Sequence, residues 1–380
     1  MEKDKYLNKI IQGDTLEILK TLPDESVDCI ITSPPYYGLR DYGTAKWEGG
    51  NENCDHKIPD NEKDPKYPQG NSHNIRFNRD ECYKCGAKRL DKQVGLEKTL
   101  NEYLDKMLTI TGELKRVLKK TGTLWWNQGD SYSTSHASGT TDAEKGWKSS
   151  GNDLNPRQAF HGRANGGNIP TKSLMLQAHR LAIRMIDEQQ WILRNIIIWN
   201  KSNCMPSSVK DRFTVDYEPV FFFSKSKKYW FEQQLEPNTF FDNRASGMER
   251  NAKQYRDKVK GKYIGKENYG GGGNSFKGHS GYTKADGTSL YNPLGRNKRS
   301  VWKIPTQPFH EAHFAVFPEA LIETPIKAGC PKGGIVLDPF MGAGTTAKVA
   351  RSLGRNYIGI ELNPEYIKIA EKRLAQNILL

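Results

Sequence analysis

An α/β fold with a doubly wound sheet is what this 380-residue sequence predicts, and three observations carry it. Amphipathic helical stretches alternate with short apolar runs, as where 96–118 precedes Thr123-Leu124-Trp125-Trp126 and 174–186 precedes 191–199. The apolar runs are nearly continuous, the pattern of strands covered on both faces. Beyond residue 310 the chain returns to strong β-α-β patterning around a glycine-rich turn, Met341-Gly342-Ala343-Gly344.

Each element can be justified in order. Leu16, Ile18 and Leu19 mark a first helix, broken at Pro23-Asp24, and Ser26-Val27-Asp28-Cys29-Ile30-Ile31-Thr32 is strand-like. That strand runs into Ser33-Pro34-Pro35-Tyr36, where two prolines without N–H groups force the chain out of the sheet. Residues 41–92 are polar, rich in Gly, Pro and Asn, and read as an insertion. Leu96, Leu100, Tyr103, Leu104, Met107, Leu108, Leu114, Val117 and Leu118 then share one helical face, which Gly122 ends. Residues 131–170 hold almost no aliphatic side chains and predict a mobile loop. A helix over 174–186, a buried strand over 191–199 and a strand over 219–223 follow. Residues 231–309 turn polar and basic. Strands over 334–340 and 356–361, with a helix through Ala347, Val349, Ala350 and Leu353 between them, complete the sheet.

Composition narrows the class. With 36% hydrophobic and 27% charged residues the chain reads as globular, and no apolar run is long enough to span a bilayer. The amino-terminal Met-Glu-Lys-Asp-Lys lacks the apolar stretch of a secretory signal, so a cytoplasmic protein is expected. Net charge is +13, from 57 Lys and Arg against 44 Asp and Glu, which fits a polyanionic partner. Segment 231–309 alone carries fourteen Lys and Arg against seven Asp and Glu, interleaved with Tyr255, Tyr263, Tyr269, Tyr282 and Tyr291. Basic side chains hold a nucleic-acid backbone by charge while aromatic and polar ones contact bases.

Six cysteines are too few for a disulfide scaffold at this length. Cys29 lies in an apolar strand and reads as core. Cys54-Asp55-His56 and Cys82-Tyr83-Lys84-Cys85-Gly86 both fall in the polar insertion, which has too few apolar residues to fold without a staple. Three thiolates and an imidazole suit tetrahedral zinc, so Cys54, His56, Cys82 and Cys85 are expected to hold a structural ion with no open position.

Two constellations carry chemistry. At Asp338-Pro339-Phe340-Met341-Gly342-Ala343-Gly344-Thr345-Thr346 a strand enters a helix through glycines, and the next strand ends in Glu361. Glycines let a ligand approach the backbone at a helix N-terminus, and an acid there can take both hydroxyls of a ribose. Taken alone, Gly342-Ala343-Gly344-Thr345-Thr346-Ala347 also fits a dinucleotide fingerprint, which leaves a nucleotide-dependent oxidoreductase open. The second constellation is Ser33-Pro34-Pro35-Tyr36. The Ser33 hydroxyl and Pro34 carbonyl offer acceptors for an amino group, proline keeps the loop rigid, and Tyr36 offers a face to a base taken out of the stack.

Together these motifs resemble the β-type, permuted family of DNA amino-methyltransferases, in which the catalytic motif precedes the cofactor motif. The resemblance implies a Rossmann-like methyltransferase sheet and methyl transfer from S-adenosylmethionine to an exocyclic amino group. It places the cofactor on Asp14, Thr32, Asp338, Pro339, Phe340, Gly342, Gly344, Thr345 and Glu361. His313-Phe314-Ala315-Val316-Phe317-Pro318 resembles the segment that packs against the methionine moiety, which adds Phe314. Trp199-Asn200-Lys201 and the stretch from Tyr217 to Lys225 resemble later family motifs.

Family members with Ser at the first catalytic position usually modify cytosine N4, and those with Asp usually modify adenine N6. Ser33 therefore points to cytosine N4, with adenine N6 as the alternative. Methylation at cytosine C5 would need a Pro-Cys nucleophile, and the chain has only the reverse, Cys330-Pro331. The implied organisation is a catalytic domain over 1–50, 91–230 and 310–380, a zinc-binding insertion at 51–90 and a target-recognition region at 231–309. Duplex DNA is the implied partner, with a bacterial or phage source and a cognate restriction endonuclease. An RNA base methyltransferase and a non-catalytic zinc-containing DNA-binding module are the rival readings.

Overall fold

The computed structural model describes residues 5–38, 42, 44–56, 81–82, 84–134, 168–237, 296–307 and 316–376. The chain divides into two compact units, Met1–Glu232 with Ser300–Leu380, and Gln233–Arg299. In chain order the strands are β1 (Lys9–Gln12), β2 (Val27–Thr32), β3 (Lys46–Glu48), β4 (Lys88–Leu90), β5 (Leu118–Asn127), β6 (Ile192–Asn200), β7 (Tyr217–Ser224), β8 (Leu235–Glu236), β9 (Arg296–Asn297), β10 (Val301–Lys303), β11 (Ile335–Asp338) and β12 (Asn356–Glu361). The helices are α1 (Thr15–Thr21), α2 (Leu100–Val117), α3 (Gln177–Gln189), α4 (Glu319–Gly329), α5 (Thr345–Ser352) and α6 (Pro364–Gln376). No helix among the described residues is long and apolar enough to cross a membrane.

Eight strands form the central sheet in the order β1-β12-β11-β2-β5-β7-β6-β10. All neighbours are parallel except where β7 runs antiparallel to β5 and β6. Alternate side chains of each inner strand enter different cores. Ile30, Leu124, Trp126, Phe221 and Phe223 pack with α1, α2 and α3, while Ile31, Trp125 and Phe222 pack with α4 and α5. Burial on both faces is why these strands read as continuous apolar runs. The paired Trp125 and Phe222 rings stack at 4.1 Å, fixing the antiparallel register.

Several expected boundaries move. α2 stops at Val117, with Leu118 as its cap, and the next strand starts there instead of at Thr123. Between the partners of Val27 and Cys29 that strand spends six residues, Leu118 to Thr123, and Gly122 lies so close to Leu118 and to Asp28 O that a Cβ would clash. Gly122 thus permits a bulge, not a helix end. β1 escapes the sequence pattern because it is a four-residue edge strand with two apolar residues, Ile10 and Ile11. β6 is only partly buried, with Ile196 exposed, because its outer neighbour β10 spans three residues.

Most of the expected loop at 131–170 lies outside the described residues. Its ends are joined, Ser133 N donating to Ser173 O at 2.8 Å and Lys172 N to Ser133 O at 2.9 Å. The expected target-recognition region is described only at its ends, where β8 pairs with β9 inside the second unit.

Candidate active site

Strand order fixes where a site can form. From β2 the chain proceeds to β5 on one side, and from β11 to β12 on the other, so the sheet changes direction between β2 and β11. A crevice opens beyond the carboxyl ends of strands at such a point. Ser33 follows β2 there and Pro339 follows β11. A cavity of about 890 Å³ occupies the crevice, and Ser33, Pro34, Pro35 and Tyr36 line it together with Pro339, Phe340, Gly342, Thr345, Glu361 and Asp14. The two motifs, more than three hundred residues apart, meet in one cavity.

Three expected cofactor residues do not line it. Asp338 is fully buried and spends its carboxylate on the protein. Thr32 Oγ1 donates to Oδ1 at 2.7 Å, Phe340 N to Oδ1 at 3.0 Å and Thr346 Oγ1 to Oδ2 at 2.6 Å. Burial raises its pKa to about 6 against the pull of those donors. Thr32 and Asp338 therefore stand behind the cavity wall and fix both motifs to each other. Gly344 also serves packing: its φ is +79°, and a Cβ would come within 2.7 Å of Ala370 Cβ in α6. Phe314 and His313 lie outside the described residues, while Val316 and Phe317 line the cavity.

Gly342 differs from Gly344. Its φ is +53°, and a Cβ there would meet nothing within 4 Å, so the open space over this backbone belongs to the cavity. Its N–H donates to Glu361 Oε2 at 2.8 Å, and Asn363 N donates to Glu361 Oε1 at 2.8 Å. The carboxylate is thereby aimed by two backbone donors, and burial raises its pKa. Asp14 caps α1 by accepting from Glu17 N at 3.0 Å, and it lines the same end of the cavity.

The Ser33–Tyr36 turn is held from behind. Tyr103 Oη donates to Pro35 O at 3.0 Å and accepts from Gln128 Nε2 at 2.9 Å, and Tyr37 N donates to Gln177 Oε1 at 3.0 Å. A network this buried keeps a turn rigid only because each member is satisfied. On the cavity side Tyr36 Oη donates to Glu218 Oε2 at 3.0 Å and lies 3.4 Å from Ser33 Oγ. Lys201 Nζ meets Glu218 Oε1 at 2.5 Å and Asn127 Nδ2 donates to Oε2 at 3.3 Å. Burial and the neighbouring Glu218 carboxylate push the Tyr36 hydroxyl well above its ordinary pKa, so it stays protonated.

Asn127, Lys201 and Glu218 carry no individual role in the sequence reading. Their signal is positional: Asn127 and Lys201 stand at the carboxyl ends of β5 and β6, and Glu218 is an acid within the apolar β7.

The four expected metal donors converge. One ligand atom from each of Cys54, His56, Cys82 and Cys85 lies within 4.8 Å of the others. Cys54 Sγ is 3.8 Å from Cys82 Sγ, and Cys85 Sγ is 3.6 Å from His56 Nδ1. Zinc–sulfur bonds of about 2.3 Å in a tetrahedron set the edge near 3.8 Å, which these two separations match.

Comparisons with known proteins agree with this geometry. A family described as DNA methylase, the N6/N4 methyltransferases, matches residues 27–372. Type II methyltransferase M.XycI of Xanthomonas campestris pv. cyanopsidis is 33% identical over 368 residues, covering 96% of this chain and 87% of that one. Type II methyltransferase M.Cfr9I of Citrobacter freundii is 33% identical over 366 residues, with the same coverage. Among solved structures, the PvuII DNA methyltransferase (cytosine-N4-specific) shares the fold with a TM-score of 0.52 at 17% identity, covering 96% of this chain and 85% of that one.

Proposed function

The chain belongs to the DNA methylase family of N6/N4 amino-methyltransferases, and we propose that it methylates cytosine N4 in duplex DNA with S-adenosylmethionine as donor. One observation carries this reading: Ser33 and the Gly342–Glu361 turn line a single cavity.

The residues fit that donor. Gly342 leaves its backbone face open, Glu361 is aimed by two N–H donors and suits a ribose diol, and Asp14 stands at the same end. When bound, S-adenosylmethionine supplies an electrophilic methyl group on a sulfonium. The chain's own residues prepare the acceptor. An exocyclic amino group is a weak nucleophile because its lone pair is spread into the ring. Ser33 Oγ and the Pro34 carbonyl accept its N–H bonds and favour the pyramidal nitrogen, and Tyr36 stacks on the extruded base. On transfer the nitrogen would take the methyl group as that group's bond to the sulfonium sulfur breaks, S-adenosylhomocysteine would leave, and the nitrogen would shed one proton to solvent. Lys201 and Asn127 hold Glu218, which in turn holds Tyr36.

The cytosine assignment rests on Ser33 and on the family resemblance it carries. Residues 233–299, with their flanks to 231 and 309, are proposed to recognise the DNA target, supported by their basic surplus. The Type II names of the bacterial relatives support a cytoplasmic enzyme with a partner endonuclease. Cys54, His56, Cys82 and Cys85 suit a structural zinc ion with no catalytic position.

The test is methylation of duplex DNA covering all short sites, and of RNA of the same sequences, followed by digestion to nucleosides and mass spectrometry. N4-methylcytosine is expected. N6-methyladenine would overturn the base assignment alone, and methylated RNA without methylated DNA would overturn the substrate.

A further inference from the structure

The zinc-binding insertion is not remote from the chemistry. β3 and β4 pair antiparallel, Lys46 with Leu90 and Glu48 with Lys88, and the four metal donors sit in the segments that continue from this hairpin. The stems of the same hairpin form cavity wall: Tyr42 and Thr44 lead into β3, and Lys92, Gln93 and Val94 lead out of β4. Tyr42 N donates to Gln93 Oε1 at 2.7 Å and Thr44 Oγ1 to Asp91 Oδ1 at 3.2 Å, so the stems are tied to each other.

They are tied to the donor end as well. Lys92 Nζ meets Glu17 Oε1 at 2.7 Å beside the Asp14 cap. Asn363 Nδ2, which follows Glu361, donates to Tyr42 O at 3.4 Å, and the Tyr42 ring meets Tyr366 edge-on at 6.3 Å. Behind them Gly38 N donates to Gly95 O at 2.8 Å, next to the Ser33–Tyr36 turn.

Among the described residues the hairpin has little apolar packing of its own. Both strands are exposed at their ends and only half-buried at Trp47 and Arg89. Cys82 and Ala87 are the buried apolar residues among those described from 46 to 90. The fold is instead shaped around the donors. Gly50 has φ +72°, and a Cβ there would come within 2.7 Å of Cys85 Sγ. Gly86 N donates to Cys82 O at 2.7 Å in a left-handed turn, and the Trp47 ring stacks on the His56 imidazole at 4.8 Å. In such a segment metal-binding energy is folding energy.

We propose that a zinc ion at Cys54, His56, Cys82 and Cys85 builds the part of the cavity wall formed by Tyr42, Thr44, Lys92, Gln93 and Val94, so that metal occupancy sets donor affinity. The proposal rests on reading the Gly342–Glu361 end as the donor site. The probe is S-adenosylhomocysteine, titrated calorimetrically into the full chain as purified, after chelation, and after zinc is returned. Hydrogen exchange is followed on the same samples, with Cys82→Ser as an independent variant.

The expected result is one zinc per chain, at least a tenfold loss of affinity on chelation restored by zinc, and faster exchange in 44–56 and 84–95, around the ligands and along the strands that lead from them to the cavity. Absence of zinc from the purified chain would overturn the metal site. Zinc that can be removed with affinity and exchange unchanged would overturn the wall. Should the zinc-loaded chain fail to bind S-adenosylhomocysteine, the donor reading falls, and exchange in 44–48 and 88–95 still decides whether the metal builds that wall.

Discussion

Thr32 donates its hydroxyl to Asp338 Oδ1 at 2.7 Å, joining the ends of β2 and β11 across 306 residues of sequence. The Ser33–Tyr36 turn begins one residue after Thr32, and the glycine turn begins one residue after Asp338. A permuted motif order is harmless because the pairing of β2 with β11 and this bond, not chain continuity, set the two turns side by side.

Its carboxylate makes stability depend on pH in an uncommon direction. The pKa of Asp338 is raised from 3.8 to about 6 by burial, so the folded chain keeps a proton that the unfolded chain has released. The folded state binds more protons between those values, and the contribution of this group falls as pH rises through them. The loss is on the order of 3 kcal/mol when complete above about pH 6. Asp338→Asn retains the shape without the charge. Its unfolding free energy relative to the native chain is expected to improve as pH is raised from 4 to 7, measured by urea denaturation. A constant difference across that range would show that Asp338 does not titrate there.

Gly342 and Gly344 are expected to separate function from folding. Gly342→Ala places a methyl group in open cavity space, at a left-handed φ that costs about 1 kcal/mol. Affinity for S-adenosylhomocysteine should fall tenfold or more with a small change in Tm. Gly344→Ala drives a methyl group into Ala370 of α6, an overpacking cost of roughly 1–3 kcal/mol. Here Tm should fall further. Equal losses of affinity and Tm in both variants would contradict the assignment.

Much of this was legible in the sequence because continuous apolar strands and two chemically specific turns leave strong local signals. Ser33, Gly342 and Glu361 line the cavity as residue type and spacing suggest. The resemblance placed Thr32 and Asp338 on the cofactor, while their contact with each other and with Phe340 and Thr346 emerges only when β2 and β11 pair. Glu218 was obscure for a similar reason: its partners Tyr36, Asn127 and Lys201 are scattered in sequence and meet only when β5, β6 and β7 pair. The bulge at Gly122 was misread because a glycine after a helical face looks like a stop signal, while its cause is the close approach of Leu118 and Asp28.

Ser33→Ala tests the acceptor role directly. Removing one preorganised hydrogen-bond partner from a transition state costs roughly 10²–10³ in kcat. The substitution is small and half-buried, so S-adenosylhomocysteine affinity and Tm should stay unchanged. Single-turnover methylation with saturating DNA reads the chemical step. A loss below threefold would mean that Ser33 Oγ does not touch the amino group.

Tyr36 has an observed hydrogen bond and a proposed stacking role, and substitution can divide the two. Its hydroxyl donates to Glu218 at 3.0 Å, whereas stacking on a base needs only the ring. Tyr36→Phe keeps the ring and leaves Glu218 with Lys201 and Asn127, so methylation should fall by less than about tenfold, the scale of a hydrogen bond worth ~1 kcal/mol. Tyr36→Ala removes the ring, and loss of a base–aromatic stack costs roughly 1–3 kcal/mol. Duplex DNA with 2-aminopurine at the target position reports extrusion by its fluorescence, which Tyr36→Phe should preserve and Tyr36→Ala should lower. Glu218→Gln should resemble Tyr36→Phe if Glu218 only positions the tyrosine. An effect as large as that of Tyr36→Ala would instead place Glu218 in contact with the base.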